Sequence, residues 1–75
     1  MKTMKQCAFE QALYYKDEYN RLKQERGEEY EATRIKEIQF NTVKSLIDES
    51  GYTSEWDEFI KRLFIARQEF ENLQK

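Results

Sequence analysis

Apolar residues recur along this chain at intervals of three and four, the spacing that gathers side chains on one face of an α-helix. Met4, Ala8, Ala12, Tyr15, Tyr19 and Leu22 form the first such series, Phe9 and Leu13 widen it on one flank, and together they predict a helix from Met4 to about Arg26. Asp17 with Arg21, and Arg21 with Glu25, stand one turn apart and are expected to pair on its solvent side, each pair contributing roughly 0.2–0.5 kcal/mol. Gly27 follows Lys23-Gln24-Glu25-Arg26, and a glycine just past a last turn that carries cations marks a helix C-terminus. One helix running through Gly27 is the alternative. Phase favours the turn: Ile35 lies about 220° around from Leu22, so a straight helix would send its two apolar stripes to nearly opposite sides.

The second helix is expected from about Glu28 to Glu49, with Ala32, Ile35, Ile38, Val43, Leu46 and Ile47 as its core face and Phe40 extending it. No Ser, Thr, Asp or Asn stands just after Gly27 to cap it, although Glu28, Glu29 and Glu31 suit the positive end of its dipole. The apolar positions span roughly 200° of the circumference, which fits a helix packed against two neighbours. Ser50-Gly51 then breaks the pattern. Thr53 or Ser54 can cap a third helix, and Asp57, three residues after Ser54, completes the capping-box pattern. From Glu55 to about Leu73, Trp56, Phe59, Ile60, Leu63, Phe64 and Phe70 are expected inside, with the pairs Asp57–Lys61, Glu58–Arg62 and Arg67–Glu71 outside. The expected fold is all-α: a single three-helix bundle over residues 1–75 with turns near Gly27 and Gly51.

Composition agrees with long helices. The chain has no proline, two glycines and 37% charged residues, while eleven aromatics supply the apolar bulk a 75-residue core needs. Fifteen acids against thirteen bases leave a formal charge of −2, so no global field favours nucleic acid or an anionic membrane. The basic N-terminus is followed by no apolar run of signal-peptide length and no stretch approaches a membrane span, so a cytoplasmic location is expected. The single cysteine, Cys7, excludes an internal disulfide and is expected to pack as a small hydrophobe.

The chemistry available is limited. With no histidine and one cysteine, the usual zinc, haem and Cys-His nucleophile arrangements have no ligands. Glu25, Glu28, Glu29 and Glu31 lack the alternating oxygens and central glycine of a calcium loop, and two glycines 24 residues apart make no phosphate cradle. No enzyme, cofactor or metal is expected. Leu46 to Ser54 has the outline of a helix-turn-helix, but Ile47 replaces the small residue wanted before the turn. Glu55, Asp57 and Glu58 would also carry negative charge to the end of the reading helix that must approach phosphates.

By elimination, the sequence points to a small interaction protein that binds a partner protein and blocks it by occlusion, as inhibitors and host-modulating proteins of phages and mobile elements do. Candidate contact residues are Tyr52, Glu55, Trp56, Asp57 and Glu58, an acidic and aromatic cluster suited to a basic protein surface. For Trp56 the competing role is core. Tyr14, on a flank of the first helix, and Tyr30 and Ile65, which point away from the apolar stripes, are further candidates. Two other readings stand beside this one: a homo-oligomer that buries Phe9, Leu13 and Phe40 across a dimer interface, and a DNA-binding regulator.

Overall fold

A computed structural model describes residues 2–73. They form three helices, α1 (Met4–Arg26), α2 (Glu31–Glu49) and α3 (Thr53–Leu73), and the expected all-α three-helix bundle is the fold observed.

The start of α1 is fixed by a reciprocal cap. Thr3 Oγ1 accepts from the Gln6 amide at 3.1 Å, and Gln6 Oε1 accepts from the Thr3 amide at 3.0 Å. Two backbone donors that would otherwise lack partners are satisfied. The helix ends where the Gly27 amide donates to the Lys23 carbonyl at 3.0 Å. Gly27 has φ +91°, a conformation costly to any residue with a Cβ. The chain needs Glu28, Glu29 and Tyr30 to reverse direction, so α2 begins at Glu31, three residues later than the pattern predicted. No side chain caps it; the Tyr30 carbonyl accepts from the Arg34 amide at 3.2 Å.

The second turn is tighter. Tyr52 N–H donates to Ile47 O and Gly51 N–H to Asp48 O, both at 3.1 Å, with Gly51 at φ +82°. This pair of bonds around a left-handed glycine satisfies the last carbonyls of α2 and turns the chain. Thr53 is itself the first helical residue of α3, and its hydroxyl donates to Asp48 Oδ1 at 2.8 Å. Ser54 lies inside the first turn, so the expected capping box with Asp57 gives way to a clamp between the two helices.

The buried core consists of Phe9, Ala12, Ile47 and Trp56, with Ala8, Phe40, Val43, Phe59 and Ile60 packed against it. Trp56 meets Phe9 edge-on at 5.6 Å between ring centroids, Phe59 at 5.8 Å and Phe40 at 6.2 Å. The antiparallel helices α1 and α2 approach closely along their length, whereas α3 reaches them through its large side chains. It runs parallel to α1 in a register offset of fifty: Lys5 pairs with Glu55 and Asp17 with Arg67, and Phe9 meets Phe59 at 5.5 Å.

This arrangement leaves much of the expected core outside. Met4 is 90% exposed, Ile35, Ile38 and Leu46 are exposed on α2, and so are Phe64 and Phe70 on α3. With α3 seated against the Phe9 side of α1, only one flank of the wide apolar face of α2 is covered. Along the second half of α3, the groove beside it is lined by residues of α1 and α3. Cys7 is exposed rather than packed. The chain exposes 6115 Å² where a compact monomer of this mass exposes about 4,900 Å², and its radius of gyration is 13.9 Å against about 11 Å for a close-packed domain.

Candidate functional site

Because α3 stands off α1 on the aromatic pair Phe9–Phe59, the seam between these two helices opens into a cleft on either side of that pair. Toward the N-terminal ends of both helices lies a groove of about 460 Å³, lined by Lys5, Phe9, Glu55, Glu58, Phe59 and Arg62 among others. Toward their C-terminal ends lies one of about 620 Å³, with Leu13, Ile60, Leu63 and Phe64 as its apolar lining and Lys16, Asp17, Arg67 and Glu71 among its polar groups. Arg67 holds Asp17 with both terminal nitrogens, at 3.0 and 3.3 Å. This two-point pair joins the second half of α3 to α1 beside the half-buried Leu13 and Leu63.

Of the acidic and aromatic cluster that the sequence singled out, Glu55 and Glu58 line the first groove. Glu55 is bonded to Lys5, whose ammonium also lies 5.5 Å from the centre of the Tyr52 ring. The hydrogen bond that Lys5 donates to Glu55, and then the Glu55 charge, push the Lys5 pKa up. Lys5 and Arg62 balance Glu55 and Glu58 within the groove, leaving it without local net charge. Asp57 and Glu58 are exposed and take part in none of the ion pairs among the described residues. The turn-spaced pairs expected along α3 do not form: Arg67 reaches across to Asp17, and Arg21, deprived of Asp17, keeps its expected pair with Glu25 and takes Glu18 in place of Asp17.

Trp56 is 3% exposed and offers no surface to a partner; it supports the cluster from beneath. Tyr52 is 37% exposed and lines a separate groove with Met4, Ala8 and Leu46, between α1 and the end of α2. Tyr14 stacks against Tyr15 at 5.7 Å with the Lys36 ammonium over both rings, Tyr30 lies beside Arg26, and Ile65 is exposed on α3. Neither groove of the seam includes any of these three. Phe9, which the oligomer reading placed at a dimer interface, is 6% exposed, and Phe40 packs against the core. Lys5, Leu63 and Phe64 were missed as site residues, and Leu13, which the oligomer reading placed at a dimer interface, lines the second groove. Their apolar spacing was visible, but the offset of fifty that brings them together was not.

The helix-turn-helix outline at Leu46 to Ser54 is present as α2, the Gly51 turn and α3. Ile47 serves the core, while Glu55, Asp57 and Glu58 lie exposed at the start of α3, where their charge opposes approach to a phosphate backbone. Among the described residues, no three His, Cys, Asp or Glu side chains gather to hold a metal ion, and no helix is long and apolar enough to cross a membrane. The fold and its surface define an open three-helix bundle with a cleft along one seam. Comparison with protein-family models, curated proteins and solved structures finds no match, so the functional reading rests on the chemistry of this surface.

Proposed function

We propose that this protein is a non-catalytic interaction module that covers a surface of a partner protein and thereby blocks or modulates it, with the α1–α3 face as the contact. The observation that carries this reading is the groove toward the C-terminal ends of α1 and α3, where Phe64 is 61% exposed beside Leu13, Ile60 and Leu63. An exposed aromatic ring beside half-buried aliphatic groups is the kind of anchor that dominates binding energy at protein interfaces. At the other end of the same face, Asp57 and Glu58 are exposed and form no ion pair among the described residues, although Arg62 lines the groove with Glu58. The partner that fits is a protein surface with an apolar ridge and basic side chains at the end that meets the start of α3. Occlusion needs area and complementarity and no reactive group, which agrees with a chain that lacks histidine. Small inhibitors and host-modulating proteins of phages and mobile elements work in this way.

The test is affinity capture from a lysate of the source cells, with the wild type, Phe64→Asp and Glu58→Lys as baits and circular dichroism as the check on folding. Both positions are exposed, so the variants should fold. A discrete protein retained by the wild type, lost with Phe64→Asp and weakened with Glu58→Lys is the expected result. Retention of no specific protein, or equal retention by all three baits, removes the reading.

A further inference from the structure

We propose that the outer face of α2 is a self-association surface that takes the same face of a second copy of this chain, the two helices lying antiparallel. Ile35, Ile38, Thr42 and Leu46 follow one another at three, four and four residues, which places them within an arc of about 80° on one side of the helix. The steps from Ile35 to Ile38 to Thr42 are those of a coiled-coil seam, and Leu46, eleven residues after Ile35, stays on the same side of the helix. Ile35 is 46% exposed, Ile38 65% and Leu46 57%. The buried Thr33 and Ile47 lie more than 90° away around the helix. The aromatic and cation contacts that α2 makes with its neighbours come from Phe40 and Lys36, not from the stripe. Thr42, the polar member of the four, already donates its hydroxyl to the Ile38 carbonyl at 2.9 Å. Drying this face therefore strands no hydroxyl donor.

Area and charge make a second copy the occupant. The chain exposes 6115 Å², roughly 1,200 Å² more than a compact monomer of its mass, and each partner in a standard stable interface buries about 800 Å². The α2 face is one region of that exposed apolar surface, and the described residues leave Ile35, Ile38 and Leu46 about half exposed or more. Glu31 and Glu49 bound the stripe at its two ends, and Arg34 stands next to Ile35. An antiparallel pairing centred between Phe40 and Asn41 sets Ile35 against Leu46 of the second copy. It also brings Arg34 to Glu49 of the second copy, and the two-fold axis repeats both contacts. Arg34 is free to make this exchange, because its own pair with Glu29 is 3.5 Å long with both side chains well exposed. A parallel pairing would instead set Glu31 against Glu31 and Glu49 against Glu49, which like-charge repulsion opposes.

The experiment is sedimentation equilibrium across the micromolar range on the wild type and on Ile38→Glu, with circular dichroism to verify that the exposed substitution leaves the helices intact. A second arm places cysteines at Ile35 and at Leu46 in separate chains lacking Cys7 (Cys7→Ser) and oxidises them singly and mixed. The expected result is a wild-type mass that rises to two chains with concentration, a one-chain mass for Ile38→Glu, and a crosslink that forms in the mixture but not with either cysteine chain alone. A wild-type mass of one chain at every concentration overturns the proposal, as does a dimer that Ile38→Glu leaves unchanged. A crosslink from Ile35→Cys alone overturns the antiparallel arrangement. The α1–α3 face is a different surface, so capture of a partner by Ile38→Glu tests the preceding reading separately.

Discussion

Replacing Trp56 by alanine should remove a large share of this protein's stability, because the side chain is the point at which all three helices meet. Trp56 belongs to α3, Phe9 to α1 and Phe40 to α2, and the ring lies within 6.2 Å, centroid to centroid, of Phe9, Phe40 and Phe59. It is 3% exposed. Truncating a buried Trp to Ala costs about 3–5 kcal/mol, part of which is the loss of three aromatic contacts worth about 0.5–1.5 kcal/mol each. A 75-residue chain has a total stability of roughly 4–11 kcal/mol. Trp56→Ala is therefore expected to lower the urea midpoint by about a quarter or more, or to leave the chain unfolded at 25 °C. Trp56→Phe keeps an aromatic ring in the site and should cost less than about 2 kcal/mol. Urea titrations followed by helical circular dichroism measure both. In the wild type the sole tryptophan gives an independent signal, since its fluorescence should shift to the red in the same transition. A loss below about 1 kcal/mol for Trp56→Ala, with an unchanged denaturant slope, would refute the placement of this residue at the centre of the core.

Three further outcomes follow from particular contacts. Thr33 is fully buried and its Oγ1 has no hydrogen-bond partner, a situation that costs about 1–3 kcal/mol. Thr33→Val should therefore raise the melting temperature, by about 4–8 °C for each kcal/mol recovered, and a lower melting temperature would show that the hydroxyl is satisfied. Gly51 has φ +82° and open space where a Cβ would stand, so Gly51→Ala should cost about 1–2 kcal/mol through backbone strain alone; equal urea midpoints for the two proteins would contradict this. The Asp48 carboxyl is held below the ordinary aspartate pKa by hydrogen bonds from Lys44 and then Thr53. A folded-state pKa below the unfolded one contributes stability above the ordinary aspartate range, and that stability is lost as pH falls through the folded value. Asp48→Asn should accordingly flatten the acid limb of the stability profile, and carbon NMR of the wild type should show Asp48 titrating below a free aspartate; a normal titration would sink the assignment.

What the sequence determined by itself is local. Residue spacing of three and four, the absence of proline and the positions of Gly27 and Gly51 are enough for three helices and two turns, because propensity and the left-handed conformation of a glycine act over a few residues. The first helix matched its expected bounds, and Trp56 was placed in the core from its position in the α3 stripe. Thr3-Met4-Lys5-Gln6 also carries a capping box that local sequence is enough to specify.

What only the tertiary structure decided is which side of each helix is covered. An apolar stripe is an angular statement about one helix, and it does not say where the neighbouring helices lie. Placing α3 parallel to α1 at an offset of fifty covers Phe9 and Trp56 and opens the two grooves of the seam. It also takes Asp17 away from Arg21, whose distance along the chain is shorter, and gives it to Arg67. The same choice leaves Ile35, Ile38 and Leu46 on the outside of α2, although the sequence alone assigned them to the core. Those pairings are separated by dozens of residues and depend on how bulky aromatics set the distance between helices, which no local pattern encodes. The candidate contact surfaces lie where that long-range packing left apolar side chains uncovered.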